Sequence, residues 1–162
     1  MLITTVDSRT HAEMGAAHTP HAPDVFQASV RLPEHAWLVT LYKEPSNRQP
    51  RFRLADLLGG CVSFVHAQPD LVTLVRAYLL EQVVSTSKHA NRRCDIFSAQ
   101  YAQLLELHRS RWNTQPNPMF EVDLIATACV AVVSRVDRPY ERLLASARAN
   151  FLARSGPLRE AH

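Results

Sequence analysis

Two stretches of the chain carry the same scattered residues in the same order. Leu41 to Val65 holds Asn47-x-Gln49-Pro50, then Phe52, then Cys61-Val62-x-x-Val65. Leu107 to Val133 holds Asn113-x-Gln115-Pro116, then Phe120, then Cys129-Val130-x-x-Val133. The offset is 66 residues through the Gln-Pro and 68 after it, so the second stretch has two extra loop residues. A period of that length predicts duplication of a whole supersecondary unit and a pseudo-twofold architecture.

A chain of 162 residues suffices for one core, or for two small halves sharing one. Its 46% hydrophobic and 20% charged content is that of an ordinary soluble globular protein. Four glycines are too few for the many tight turns of a sandwich or barrel. No apolar run approaches bilayer-spanning length, and the N-terminus lacks a charged-then-apolar signal pattern, so no membrane role is expected. Cys61, Cys94 and Cys129 are odd in number and far apart. They read as buried free thiols in a reducing, cytoplasmic compartment. A net charge of +3 is compatible with a polyanionic partner without requiring one.

Residues 1–23 read as a disordered tail; His18-x-x-His21 has no Cys or acidic cluster to complete a metal site. Residues 24–88 form the first expected unit. From Val25, Phe26, Ala28, Val30 and Leu32 alternate with Gln27, Ser29 and Arg31, the period of a half-buried strand. Pro33 opens a short helix to Lys43, with Ala36, Trp37, Val39 and Leu41 or Tyr42 for a core. A polar, proline-bounded loop leads to a helix over Phe52–His66, interrupted by Gly59-Gly60 where another helix can approach closely. A third helix runs from Asp70 to about Ser87.

Residues 89–155 repeat the order. Arg93–Phe97 is strand-like, with Cys94 and Ile96 on one face and Arg93, Asp95 and Phe97 on the other. Ser98 is the expected N-cap of a helix from Ala99 to about Arg111, with Ala102, Leu104, Leu105 and Leu107 apolar. Helices are expected over Phe120–Val136 and Pro139–Ala153, with Gly156 as a stop and 156–162 as a tail. A lone strand leaves a row of backbone groups unsatisfied, so Phe26–Leu32 is predicted to pair antiparallel with Arg92–Ser98. The fold class expected is therefore mainly α with a short two-stranded antiparallel ribbon, the two units sharing one core.

Strand, helix, helix, with Arg31-Leu32-Pro33-Glu34 where the strand passes into the first helix, resembles the ribbon-helix-helix family of DNA-binding proteins. The resemblance covers about 25–66 and again 92–134, with an added helix per repeat. It implies a fused pseudo-dimer, similar to single-chain members that assist T-DNA and conjugative-plasmid transfer. Two departures stand: Phe97-Ser98-Ala99-Gln100 replaces the Arg-Leu-Pro-Glu run in the second unit, and neither loop has the family's glycine and small hydroxyl before the second helix.

A two-stranded ribbon fits the B-DNA major groove and turns one face to the base edges. That face would present Gln27, Ser29 and Arg31 from one strand and Arg93, Asp95 and Phe97 from the other. Arginine suits guanine, glutamine suits adenine and phenylalanine can touch a thymine methyl; Asp95 would accept from cytosine or orient an arginine. Arg48, Arg51 and Arg53, with Lys88, Arg92, Arg109 and Arg111, are the expected phosphate contacts. Double-stranded DNA is thus one candidate partner, read asymmetrically because the strands differ. A mostly helical protein-interaction module, an adaptor or inhibitor without DNA binding, fits the same composition and stays open. Nothing points to catalysis: there is no Gly-rich phosphate loop, Gly-x-Ser-x-Gly, His-Glu-x-x-His or Cys-x-x-Cys, and no cofactor or metal is expected. Asp56 and Asp123, early in their helices, suit the helix dipole.

Overall fold

In the computed structural model, residues 25–84, 90–115 and 119–159 are described. The expected N-terminal arm and Lys88 lie outside them. The strand β1 (Val25–Arg31) runs directly into α1 (Leu32–Lys43), followed by α2 (Leu54–His66) and α3 (Pro69–Val84). The second strand β2 (Asn91–Phe97) runs into α4 (Ser98–His108), a single turn α5 (Arg111–Thr114), α6 (Val122–Arg135) and α7 (Pro139–Arg159). Among the described residues the fold is mainly helical with one two-stranded antiparallel sheet.

The strands pair with Gln27 opposite Asp95 and Ser29 opposite Arg93. Alternation sends Ala28, Val30, Cys94 and Ile96 inward, where all four are buried. A two-stranded ribbon is not stable alone and needs an apolar bed. Here β1 rests on α6 and β2 on α2, so each strand lies against the second long helix following the other strand. Those two helices also pack on each other, and nine consecutive residues of α6 (Ile125–Val133) are buried. A helix apolar on every side belongs at the centre. The helix α3 covers α6, and α7 covers α2.

Gly59 and Gly60 mark where two helices crowd α2. A Cβ on Gly60 would sit 3.3 Å from both the Cβ and the backbone N of Ala147 on α7, and 2.8 Å from Leu143. One on Gly59 would meet Gln100 of α4 at 3.0 Å. The helix-weakening pair is there because side chains would hold the helices apart. Gly60→Val is expected to cost about 2 kcal/mol or more by overpacking, read as a shift of the urea midpoint.

The recurrent asparagines are loop clamps. Asn47 is buried and donates from Nδ2 to the carbonyls of Tyr42 (3.1 Å) and Phe52 (3.0 Å), while its Oδ1 accepts the Phe52 N–H (2.8 Å). Asn113 makes the same three bonds, to the carbonyls of His108 (2.8 Å) and Phe120 (3.1 Å) and from the Phe120 N–H (3.0 Å). Phe52 and Phe120 are both buried through these bonds. That is why α2 and α6 begin two residues later than the apolar pattern predicts.

Other expectations need correcting. The buried stripe of α1 is Leu38 and Leu41, with Ala36 exposed, because the helix starts at Leu32 with no linker and inherits its phase from β1. Leu32 is itself exposed. Phe26, expected inward, is 46% exposed and lies stacked on Tyr101 with ring centroids 4.7 Å apart. Phe97 takes the N-cap position of α4, so Ser98 falls in its first turn and makes no side-chain cap. Ala102 on α4 is exposed. The turn α5 occupies part of the expected loop. Gly156 does not stop α7, which continues to Arg159; no described glycine takes a positive φ.

Candidate nucleic-acid interface

The ribbon's outward row is Val25, Gln27, Ser29 and Arg31 facing Phe97, Asp95, Arg93 and Asn91. Its centre is open: Gln27, Arg93 and Asp95 are exposed and Ser29 is half-buried. Arg93 Nη1 reaches diagonally to Gln27 Oε1 at 3.5 Å. Two strands therefore meet at a polar patch carrying donors and acceptors of several kinds.

At each end of the row one residue is covered while its partner, Val25 or Asn91, stays exposed. Phe97 is only 3% exposed, its ring covered by the Arg154 guanidinium at 3.6 Å and flanked by that of Arg53 at 5.4 Å. It cannot touch a thymine methyl, and this corrects its assignment as a base reader. Arg31 is half-buried, and its guanidinium donates to Gln82 Oε1 on α3. The helices that follow each strand–helix–helix run thus reach back to the ribbon: α3 holds one end and α7 the other.

Two backbone donors on the outer edge of β1 are satisfied by side chains of α6. Asp123 Oδ1 accepts the Ser29 N–H at 3.0 Å and Thr127 Oγ1 accepts the Arg31 N–H at 3.2 Å. Asp123 was expected to serve its own helix's dipole, and its bond to Ser29 is a further task that the linear sequence does not announce. Asp56 is buried instead, accepting the Arg53 N–H at 2.9 Å and pairing with Arg154.

Between β2 and the start of α2 lies a cleft of about 380 Å³. Arg53, Leu54 and Ala55 line one side of it, Arg93, Asp95 and Phe97 the other. The first turn of α2 adds the partial positive charge of a helix N-terminus. Arg51 lies over the Tyr42 ring at 4.6 Å, and Tyr42 also borders this cleft. Arg48 is exposed in the same loop but has no described contact that brings it to the ribbon.

The remaining basic residues are dispersed. Arg92 is exposed beside His35, whose pKa is lowered, first by burial and then by the Arg92 charge. Ser110 and Trp112, which bracket Arg111, share a cleft with His66 at the last residue of α2. Arg109 and Arg111 therefore sit at the opposite end of α2 from Arg53, about 20 Å along the helix. They are not brought to the ribbon, which corrects their assignment as phosphate contacts there. Sequence reasoning missed Gln82, Thr127 and Arg154, none of which belongs to a motif.

All three thiols are buried and unpaired. Burial pushes Cys94 and Cys129 up to about 12, and Cys61 is raised well above its ordinary value by burial with Cys129 nearby. They are poor nucleophiles at neutral pH. Among the described residues no three His, Cys, Asp or Glu converge to hold a metal, and no helix is long and apolar enough to cross a membrane. No protein-family model, curated protein or solved structure matches the chain.

Proposed function

We propose that the chain is a tandem of two strand-helix-helix units, each with an added helix, whose shared ribbon binds double-stranded DNA in the major groove, as in ribbon-helix-helix proteins. The observation that carries this reading is the open polar centre of the antiparallel ribbon: Gln27, Ser29, Arg93 and Asp95 on a surface narrow enough to enter the groove. Arg93 suits guanine O6 and N7. Gln27 suits adenine, and Asp95 suits cytosine N4. Arg31 contributes only its half-exposed guanidinium, and Phe97 drops out of the reading set. The two Asn clamps, equal in all three bonds, support the tandem arrangement.

Fluorescence anisotropy with a random duplex at about 50 and 200 mM salt tests this. Affinity should fall steeply between the two, because displaced counterions set the slope. On a selected site, Arg93→Ala should weaken binding by about 1–3 kcal/mol. Absence of duplex binding at low salt would sink the proposal.

One observation favours the second reading, a protein-interaction module. Leu74 and Leu80 on α3 are 51% and 43% exposed, two apolar side chains that a duplex would leave unused. A stable protein complex without DNA affinity would support it.

A further inference from the structure

The two flanks of the ribbon differ in charge, and comparing equivalent positions within the chain makes the difference specific. On the β2 flank, the residues leading into α2 include Arg51 and Arg53, and Arg53 shares its cleft with Arg93 and Asp95 of the ribbon face. Sixty-eight residues later, in the segment leading into α6 on the β1 flank, the same positions hold Met119 and Glu121. Both are exposed, Met119 at 53%. Asp123 adds a second carboxylate to that flank, half-buried against the Ser29 N–H. The carboxylate near the start of α2, Asp56, is by contrast paired with Arg154. At the two equivalent positions one flank thus offers two guanidinium groups and the other a thioether and a carboxylate, while Arg31 at the end of β1 is turned to Gln82.

We infer that the protein grips duplex DNA from one side only: the phosphates of the strand lying along the β2 flank are held by Arg51 and Arg53, while those of the opposite strand meet Met119 and Glu121 at the equivalent described positions of the β1 flank. This rests on the DNA-binding reading and adds a polarity to it. A groove-inserted ribbon is bordered by two phosphate backbones, and a symmetric dimer holds both. Here Glu121 would face the second backbone and repel it. The ligand is therefore a duplex engaged in one orientation, with its affinity set mainly by one backbone.

The test is the salt slope of duplex binding by the full chain, measured by anisotropy with one random duplex. Each phosphate contact contributes about 0.9 to the slope of log K against log salt. Arg51→Ala with Arg53→Ala should lower the magnitude of the slope by about 2. Arg109→Ala with Arg111→Ala, at the far end of α2, should leave it unchanged. Met119→Arg with Glu121→Arg, both at exposed positions, should raise it by about 2. Circular dichroism and thermal midpoints of each variant establish that it is folded. Equal losses from the 51/53 and 109/111 pairs would overturn the one-sided grip while leaving DNA binding intact. So would an unchanged slope in the folded 119/121 variant. If the unaltered chain fails to bind at low salt, the parent reading falls and this one with it.

Discussion

Asn113→Ala is expected to lower folding stability by about 3 kcal/mol, and Asn47→Ala by a similar amount. Each side chain is buried and closes its loop through three bonds, two donated and one accepted. Alanine removes all three and strands a buried Phe N–H together with two carbonyls. The orphaned N–H accounts for most of the cost, because water cannot reach it. The expected fall in the thermal midpoint is roughly 10 °C for a chain of this size. The two loops share no partners, so the losses should add to within about 0.5 kcal/mol. Their sum, about 6 kcal/mol, approaches the whole stability of an ordinary domain, and the double variant should be largely unfolded. Urea titrations of the three variants check this. A loss below about 1 kcal/mol at one site alone would mean that the clamps are equal in geometry but not in energy.

Asp56→Ala should cost about 3 kcal/mol for a different reason, a partly buried charge left without its partner. Asp56 is 4% exposed and takes both the Arg53 N–H and the Arg154 guanidinium. Arg154 already has one buried nitrogen, Nη1, without a partner. Removing the carboxylate leaves the whole guanidinium against the Phe97 ring with no counter-charge. Asp56→Leu combined with Arg154→Met should recover most of the loss, because two apolar side chains carry no desolvation penalty. A double-mutant cycle measured by chemical denaturation tests the coupling. If Arg154→Met alone is harmless, the ion pair is not what holds Asp56 in place. The position equivalent to Asp56 on α6 is Leu124, so no such pair exists beside Arg31.

The pairing of the two strands was legible in the sequence because alternation has a period of two and an unpaired strand needs a mate, but its register was not: both strands lie one residue earlier than expected, and Phe26 faces Ile96, not Ser98. The Gly59-Gly60 approach was legible for a similar reason, since two glycines inside an apolar helix have few other uses. The Asn-x-Gln-Pro recurrence was visible, but its role as a clamp was not, because the bonded carbonyls lie five and seven residues away across an irregular loop. Phe97 was misplaced since its cover, Arg154, comes from a helix 57 residues later, and stacking of a guanidinium on a ring leaves no periodic trace. Arg109 and Arg111 were misplaced because proximity in sequence to the second loop says nothing about which end of that loop faces the ribbon.

A sheet of two strands has two open margins, and each is an invitation for another strand to add. Along the second half of β1 that invitation is withdrawn by Asp123 and Thr127, whose oxygens occupy two donors, Ser29 and Arg31 N–H, that a third strand would need. The helix α6 serves as a cap in place of a neighbour, which protects the chain from edge-to-edge growth without any proline or bulge in the strand itself. The β1 margin is thus closed to a third strand where Ser29 and Arg31 donate, and a partner on that side must meet the ribbon by its face.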